Sequence, residues 1–469
     1  MFAALPSAQV KWADPRLRGA WLAIAAAAIV AMVFLPKSFT NNDEYYYAGQ
    51  AYTLTQGRIT PRGGDPLLVP LQVPGRAFRY PVAWPAVLAL GRLVSIRSMY
   101  VVVLCAHLLG AAAAARLLVR RGAQSLLCAL YLFHPVFWIY SRTLLSDLPA
   151  TAALLIAMDA WENRDRATAA GSLGFAGAAR IANITVTLGF GLAVIQGVRR
   201  RLADFAGLVL GVSTFWAAQI VVNHTVGSYW LVSPYAKSAA VMLTGRMITE
   251  NTLLYLGGLA LLPPFSLLFA VARRHLVDRW AWIAVVVVVA HLPISWHNVS
   301  SNVLETLVGG QRYVMPAHAA LLIATAGAWT GAPVLRRAWF SAAAGVTIAV
   351  GGCLAMARLE NRHRVAAEAV AACHPSALAY NRYANRIAGS VQARSYIATE
   401  DIPGRDPTWD VLVLAPSFQS NQPGFSGGWS LGPPRIEGAS CRQIGSYSVY
   451  DFTGHCPLRG DPCSFDRQR

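Results

Sequence analysis

The chain has 469 residues, of which 55% are hydrophobic and only 13% are charged, and its mean hydropathy is positive. These values exclude an ordinary soluble domain, because the apolar runs approach the roughly 20 residues that span a bilayer. The formal charge of +18 would suit a nucleic-acid partner, but basic loops are expected in membrane proteins. The sequence therefore predicts a polytopic membrane protein that has no nucleic-acid partner.

The basic residues gather in short loops between the apolar segments. Residues 1–357 hold 28 Lys+Arg against 12 Asp+Glu, whereas residues 358–469 hold 12 against 10. Clusters of Lys and Arg in short loops mark the cytoplasmic side of a membrane protein. The clusters comprise Lys11, Arg16 and Arg18, then Arg120 and Arg121, Arg164 and Arg166, Arg199 to Arg201, Arg273, Arg274 and Arg279, and Arg336 and Arg337.

Eleven membrane helices fit between these clusters with every cluster on the same side. An odd number of spans puts the N-terminus in the cytoplasm and the tail outside, as expected for a bacterial inner-membrane protein. The first span is predicted to stay uncleaved, because no small-x-small site follows residues 31–36. The spans are predicted near 19–35, 98–118, 123–140, 146–161, 167–183, 184–198, 202–222, 251–272, 279–296, 313–330 and 336–357.

The first extracytoplasmic loop, residues 36–97, breaks the pattern of membrane helices. It holds a polar aromatic helix from Asp43 to Gln56, a Gly- and Pro-rich stretch, and an apolar segment from Trp84 to Val94. Eleven apolar residues are too few to span a bilayer. The segment is therefore predicted to lie in the membrane interface.

Carboxylates stand at the outer ends of two predicted spans. Asp43 and Glu44 follow the first span, and Asp147 begins a later one. Charge near membrane depth is costly and therefore indicates function. The structural alternative is that all three occupy helix N-termini, which favour acidic side chains. Arg312 has an alternative role as an anchor to lipid headgroups, and the tyrosines at 45–47 form either an aromatic belt or a platform for a sugar.

The tail, residues 358–469, is predicted to be a small extracytoplasmic α+β domain that follows the membrane domain 1–357. Its pattern predicts a helix from Val365 to Ala379 and strands at Val411–Leu414 and Tyr447–Phe452. Its four cysteines are an even set in an oxidising compartment and predict two disulfides. Four cysteines allow three pairings, among which we slightly prefer Cys456 with Cys463 and Cys373 with Cys441.

Four short motifs occur in a fixed order along the membrane domain. They are Asp-Glu followed by tyrosines at 43–47, Tyr-Pro at 80–81, Ser-Arg-Thr-Leu-Leu-Ser-Asp-Leu-Pro-Ala at 141–150, and Gln-Arg-Tyr-Val-Met-Pro at 311–316. Together they resemble the GT-C glycosyltransferases. More narrowly, they resemble the branch that includes the protein O-mannosyltransferases and the aminoarabinose transferase of lipid A. The resemblance covers about residues 19–357, and the short cysteine-bearing tail departs from the family.

The resemblance implies a membrane glycosyltransferase. Such an enzyme moves a hexosyl or pentosyl group from a polyprenyl-phosphate donor to an extracytoplasmic glycan, lipid or protein. Asp43 matches the catalytic acid/base of the family, Glu44 matches its neighbour, and Asp147 matches the acid in the family's second outer loop, so the resemblance implies that these three are the catalytic residues. A carboxylate would take the acceptor proton, and cations would stabilise the leaving phosphate. The residues expected to bind substrate are Tyr46, Tyr47, Arg79, Tyr80, Arg312 and Tyr313.

Metal and cofactor chemistry has little support in the sequence. His107, His134, His291 and His318 occur in or beside apolar segments without the i, i+4 spacing of a helical metal site. We therefore expect structural roles for them. No cofactor is predicted, and a divalent metal ion bound by carboxylates near Asp43 and Asp147 is left open.

Two other classes of membrane protein compete with the transferase. A transporter or flippase of envelope precursors would also be polytopic, but it should show inverted repeats and paired broken helices. The sequence shows neither, and its acids gather on one outer face. The second alternative is a binding or assembly module in which the tail acts alone and the helices only anchor it. Eleven spans are far more than an anchor needs.

The charge pattern makes a direct prediction about topology. Reporter domains fused after Gly122 and after Leu359 should report opposite sides of the membrane, cytoplasmic for the first and extracytoplasmic for the second. Paired alkaline phosphatase and fluorescent protein fusions at both positions measure this. Matching signals from the two positions would contradict an odd number of spans.

Overall fold

Apolar helices make up most of the structure, which is a computed structural model. It describes residues 10–36, 39, 42–60, 62, 80–197, 202–227, 245–294, 303–329, 332–380, 394–397, 410–414, 436–444 and 447–463. Within these ranges the helices are α1 (Arg18–Val33), α2 (Asn42–Thr55), α3 (Ala83–Arg92), α4 (Ile96–Arg120), α5 (Ala129–Leu132), α6 (Pro135–Tyr140), α7 (Asp147–Glu162), α8 (Arg166–Ala179), α9 (Ile184–Gly197), α10 (Leu202–Gly227), α11 (Gly245–Leu261), α12 (Ser266–Ala272), α13 (Ala281–His291), α14 (Val303–Gly310), α15 (Met315–Ala324) and α16 (Ala332–Ala371).

Two helices in the described ranges are long and apolar enough to cross a bilayer, at Pro15–Val33 and Ile96–Arg120. The pair α11 and α12 makes a third candidate, although its helices meet at an angle of 82°. Several other apolar helices have only 10–17 residues. The prediction of a mainly helical protein with a small sheet is confirmed, whereas the eleven spans stay a prediction.

The prediction of a single helix at 123–140 is wrong, because the α-helical conformation is interrupted twice in this range. A 3-10 turn at Ser125–Cys128 leads into α5, and α6 starts anew at Pro135. Proline lacks the N–H that a continuing helix needs, but it fits the first turn of a new one. His134 caps that new helix, because its Nδ1 accepts the backbone N–H of Val136 at 3.3 Å.

The helix predicted inside loop 36–97 is present as α2, and the apolar segment predicted after it is helical as well, as α3. α2 packs against α3, and α3 packs against α4. α2 carries Asp43 and Glu44 in its first turn, where the helix dipole favours negative charge. Ser95 caps the N-terminus of α4, because its hydroxyl accepts the backbone N–H of Ser98 at 3.0 Å. The first loop is thereby attached to the core of the helical region.

The core is centred on α4, α7 and α8, which pack side by side. The C-terminal ends of α4 and α7 carry a cluster of ion pairs. Asp159 pairs with Arg116 at 2.9 Å and with Arg120 at 3.0 Å, and Arg121 joins Glu162 to Asp278 at 2.6 and 2.7 Å. Asp159 and Glu162 lie toward the end of α7 opposite to Asp147, about 18 and 22 Å away along the helix at 1.5 Å per residue.

The tail forms a six-stranded sheet next to the end of α16. Its strands are β1 (Ala377–Tyr380), β2 (Arg394–Ile397), β3 (Val411–Leu414), β4 (Ser440–Ile444), β5 (Tyr447–Asp451) and β6 (Asp461–Pro462), in the order β2-β1-β3-β5-β4-β6. β1 pairs in parallel with β2 and β3, and the remaining pairs are antiparallel. The strand at Val411–Leu414 is confirmed, as is the strand that starts at Tyr447.

The predicted helix from Val365 to Ala379 is wrong at its C-terminal end. α16 stops at Ala371, and Ala377 already belongs to β1. His374 adopts a left-handed conformation with φ of 47°, and the following Pro375 prevents the helix from continuing. At its other end α16 starts at Ala332, so one unbroken helix crosses the domain boundary predicted at residue 357.

The structure pairs Cys373 with Cys456 and Cys441 with Cys463. The preferred pairing was therefore wrong, and a turn after β5 supplies the reason. Asp451 Oδ1 accepts the backbone N–H groups of Thr453 and Gly454 at 2.8 and 3.1 Å, and its Oδ2 accepts that of Cys456 at 3.0 Å. This turn directs Cys456 toward the end of α16. Although partial burial raises the pKa of Asp451, these hydrogen bonds lower it below its usual value.

The two disulfides should stabilise the tail unequally. Cys373–Cys456 closes a sequence separation of 83 residues and Cys441–Cys463 one of 22. The loop-entropy model makes loss of the longer link costlier by about 1 kcal/mol. Pulse proteolysis in urea should therefore show the Cys373→Ser/Cys456→Ser variant opening its tail at lower urea than Cys441→Ser/Cys463→Ser. Mass spectrometry of non-reduced peptides provides the control, and a Cys456–Cys463 link would contradict the pairing.

Candidate active site

Asp43 lies in the first turn of α2 and accepts hydrogen bonds from Tyr80 and Arg312. The Tyr80 hydroxyl donates to its Oδ1 at 2.8 Å, and the Arg312 guanidinium donates to its Oδ2 at 3.4 Å. The side chains of Asp43 and Arg312 are 20% and 15% exposed. The carboxylate is thus oriented on both oxygens and still accessible from one side.

Glu44 has a different environment, although it is the next residue. Its side chain is fully buried, and its Oε2 accepts the Tyr100 hydroxyl at 2.9 Å and the backbone N–H of Leu144 at 3.2 Å. The indole of Trp84 donates to the carbonyl of the same Leu144 at 2.7 Å. Through these hydrogen bonds Glu44 connects α2 to α4 and to residues 141–146, and it thereby fixes the position of α2, which carries Asp43.

Tyrosines fill the space between Asp43 and Ser146. The rings of Tyr47 and Tyr80 stack with centroids 4.5 Å apart, and Tyr46 contacts Tyr80 edge-on at 5.9 Å. The Tyr47 hydroxyl hydrogen-bonds the Ser146 hydroxyl at 2.9 Å. Burial raises the pKa of the Tyr47 phenol to about 12. The phenol therefore keeps its proton at neutral pH and remains a hydrogen-bond donor.

Asp147 begins α7 directly after Ser146 and forms an ion pair with Arg180. Arg180 follows the last residue of α8. Its guanidinium lies 5.2 Å from the centroid of the Tyr313 ring, and that of Arg312 lies 4.7 Å from the same ring. Tyr313 is therefore in cation–π range of both arginines and connects the two acid–arginine pairs.

These contacts close into a circuit, which we call the contact ring. Its neighbours in order are Asp43, Tyr80, Tyr47, Ser146, Asp147, Arg180, Tyr313, Arg312 and again Asp43. Five segments that are far apart in the sequence contribute to it. The contact ring places two carboxylates, two guanidinium groups and three phenols around one small region, a set able to accept a proton and to hold an anion.

The structure brings most of the predicted residues together and adds one. Asp43, Asp147, Arg312 and Tyr313 meet in the contact ring, whereas Arg79 lies outside the described residues. Sequence reasoning missed Arg180. The available signal was a single cation in the otherwise apolar stretch 167–198, where charge is costly.

In the part of the chain that the structure describes, no group of three or more His, Cys, Asp or Glu side chains could hold a metal ion. The histidines have other partners. His107 Nε2 contacts the carbonyl of Leu132 at 3.1 Å, and His291 Nδ1 contacts that of Val287 at 2.8 Å.

Comparison with known proteins finds similarity in structure but not in sequence. No family model matches the chain, and no curated protein matches it. Among solved structures, ArnT from Cupriavidus metallidurans bound to undecaprenyl phosphate superposes with a TM-score of 0.61 at 11% identity. The apo form of the same protein superposes with a TM-score of 0.60 at 13% identity. Each comparison covers 92% of this chain and 98% of the other.

At 11% and 13% identity the similarity is one of fold. It extends over nearly the whole of both chains. The chain therefore has the same fold as ArnT, and the fold expected from its four short motifs is confirmed.

Proposed function

We propose that this protein is a membrane glycosyltransferase that moves a sugar from a polyprenyl-phosphate donor to an acceptor outside the cytoplasm. The observation that carries the proposal is the pairing of an accessible carboxylate, Asp43, with Arg312 inside the contact ring. The fold supports it, because the ArnT structure with the same architecture is bound to undecaprenyl phosphate. Sugar and acceptor identity are left to experiment.

Asp43 is the general base of the proposed reaction. Its carboxylate takes the proton of the acceptor hydroxyl or amine while the acceptor atom attacks the anomeric carbon of the sugar. The bond from the anomeric carbon to the phosphate oxygen breaks, and the phosphate leaves with the bonding electrons. A phosphate needs no proton to leave, so a second carboxylic acid is not required. Tyr80 holds the Asp43 carboxylate in position through its hydrogen bond.

The two arginines are the proposed partners of the phosphate. A guanidinium can hold a phosphate through two parallel hydrogen bonds, and it stabilises the negative charge that remains after transfer. Arg312 is the nearer to the base because it contacts Asp43 itself. Arg180 faces the same Tyr313 ring and is held by Asp147. Asp147 and Glu44 thus have positioning roles, and the stacked rings of Tyr47 and Tyr80 provide an aromatic surface for a sugar.

The location of the contact ring supports an extracytoplasmic reaction. It sits at the N-terminal end of α7, whereas the ion pairs of Arg116, Arg120 and Arg121 sit at the C-terminal ends of α4 and α7. Basic clusters mark the cytoplasmic side. The contact ring is therefore assigned to the opposite face, where a polyprenyl-linked sugar would be delivered.

Replacement of the base tests the proposal. Asp43→Asn keeps the size of the side chain but removes its basic oxygen, so turnover should fall by roughly 10²-fold or more. The measurement is transfer of labelled sugar from a panel of polyprenyl-phosphate donors in membranes. Asp165→Asn is the matched control, because Asp165 is exposed and caps α8 in a way that asparagine also can.

Transfer at the wild-type rate by Asp43→Asn would remove Asp43 as the base. Wild-type protein that binds the donor lipid without transferring its sugar would favour a transporter or flippase instead.

Replacement of the phosphate partner should act on binding. Arg312→Gln removes the charge that pairs with the donor phosphate, and undecaprenyl phosphate should bind about tenfold or more weakly. Native mass spectrometry or a thermal-shift titration in detergent measures this binding. Arg246→Gln is the control, since Arg246 is 89% exposed and pairs only locally with Glu250. Equal affinities for Arg312→Gln and wild type would contradict the role of Arg312.

A further inference from the structure

Two buried histidines lie behind the contact ring and have no part in the proposed reaction. His134 and His318 are each only 2% exposed. His134 Nε2 lies 3.1 Å from His318 Nδ1, and His318 Nε2 lies 2.9 Å from Oε1 of Gln311. Gln311 Nε2 in turn donates to the carbonyl of Leu254 at 2.7 Å. Together with the bond from Val136 N–H to His134 Nδ1, these contacts form one continuous chain of hydrogen bonds.

The groups at the two ends of this series of hydrogen bonds determine which atom donates in every bond. At one end the backbone N–H of Val136 can only donate, so His134 Nδ1 must accept and its Nε2 carries the proton. At the other end the carbonyl of Leu254 can only accept, so the Gln311 amide donates there and its oxygen must accept from His318 Nε2. Both ends therefore require the same Nε2–H form in both neutral rings.

This series of hydrogen bonds connects two segments that contribute residues to the contact ring. Gln311 opens the 3-10 turn Gln311–Val314, which carries Arg312 and Tyr313. His134 caps α6, which leads into the segment that ends at Ser146. Gln311 is fully buried over Gly258, where an added Cβ would come within 2.0 Å of the Gln311 amide carbon. The absence of a side chain at Gly258 thus leaves the space that the Gln311 amide occupies, and His318 supplies its hydrogen-bond partner there.

We propose that His134 and His318 are positioning residues that form a one-way hydrogen-bond relay to Gln311 and thereby hold Arg312 and Tyr313 in place for the donor phosphate. This inference rests on the proposed function, because it takes Arg312 as the phosphate partner. The relay acts at a distance, since neither ring belongs to the contact ring. Phe137 stacks on His134 at 4.4 Å and contacts His318 at 6.4 Å, so packing limits how the rings can turn.

A matched pair of substitutions at His318 separates the relay from simple packing. Gln places an amide N–H near the position of imidazole Nε2 and keeps the bond to Gln311. Asn is shorter, so it keeps an acceptor near Nδ1 for His134 but loses the bond to Gln311. The donor KM should stay within about threefold of wild type in His318→Gln and rise about tenfold or more in His318→Asn, with a smaller change in kcat, because a buried carbonyl loses its donor.

The test combines kinetics with binding of undecaprenyl phosphate and with nitrogen NMR of ¹⁵N-histidine-labelled protein in nanodiscs. Nε2–H signals for both buried rings, together with the Gln and Asn difference, support the relay. An Nδ1–H signal from either ring would overturn it, as would equal donor KM values for the two variants. If the wild type binds undecaprenyl phosphate but transfers no sugar, the proposed function fails, while the dissociation constants of the two variants still decide the relay.

Discussion

The contact ring depends most on the hydrogen bonds that hold the buried carboxylate of Glu44. A carboxylate without water must have hydrogen-bond donors, and Glu44 finds them in the Tyr100 hydroxyl of α4 and the backbone of Leu144. Since Asp43 precedes Glu44 on α2, that anchor also sets the position of the proposed base. The same backbone segment leads to Ser146 and Asp147, so one buried charge aligns both acidic parts of the site.

The distribution of charge along α7 gives the molecule two different ends. Asp147 at its start pairs with Arg180, and Asp159 and Glu162 near its end pair with arginines of α4. Between them the helix carries apolar and small side chains that are mostly buried. Charged groups in an apolar setting are stable only when paired. The ion pair at the start of α7 therefore belongs to the proposed site, and the ion pairs near its end join α7 to the end of α4.

Buried residues that would not contact substrate hold the partly exposed residues of the proposed site in place. The accessible pair of Asp43 and Arg312 is 20% and 15% exposed, whereas Glu44 and Gln311 behind it are fully buried. A proposed general base and phosphate partner need accurate placement, because small displacements weaken catalysis steeply. The buried polar groups provide that placement through hydrogen bonds whose donors and acceptors are matched. His134 and His318, for which the sequence analysis expected structural roles, belong to this proposed support.

The sequence by itself determined the class of the protein and much of the proposed site. Composition and apolar runs predicted a mainly helical chain, and the order of four short motifs predicted its fold. Asp43 and Asp147 were singled out because charge is costly beside apolar helices, whereas Arg312 was selected because its motif resembles that of a known family. These features are local, and local features can be read from a chain without its fold. Only the tertiary structure could join Asp43 to Arg312 across 269 residues, recruit Arg180 as the partner of Asp147, and pair Cys373 with Cys456. Such contacts depend on how helices and strands pack, and neither spacing nor residue type encodes which distant segments will meet.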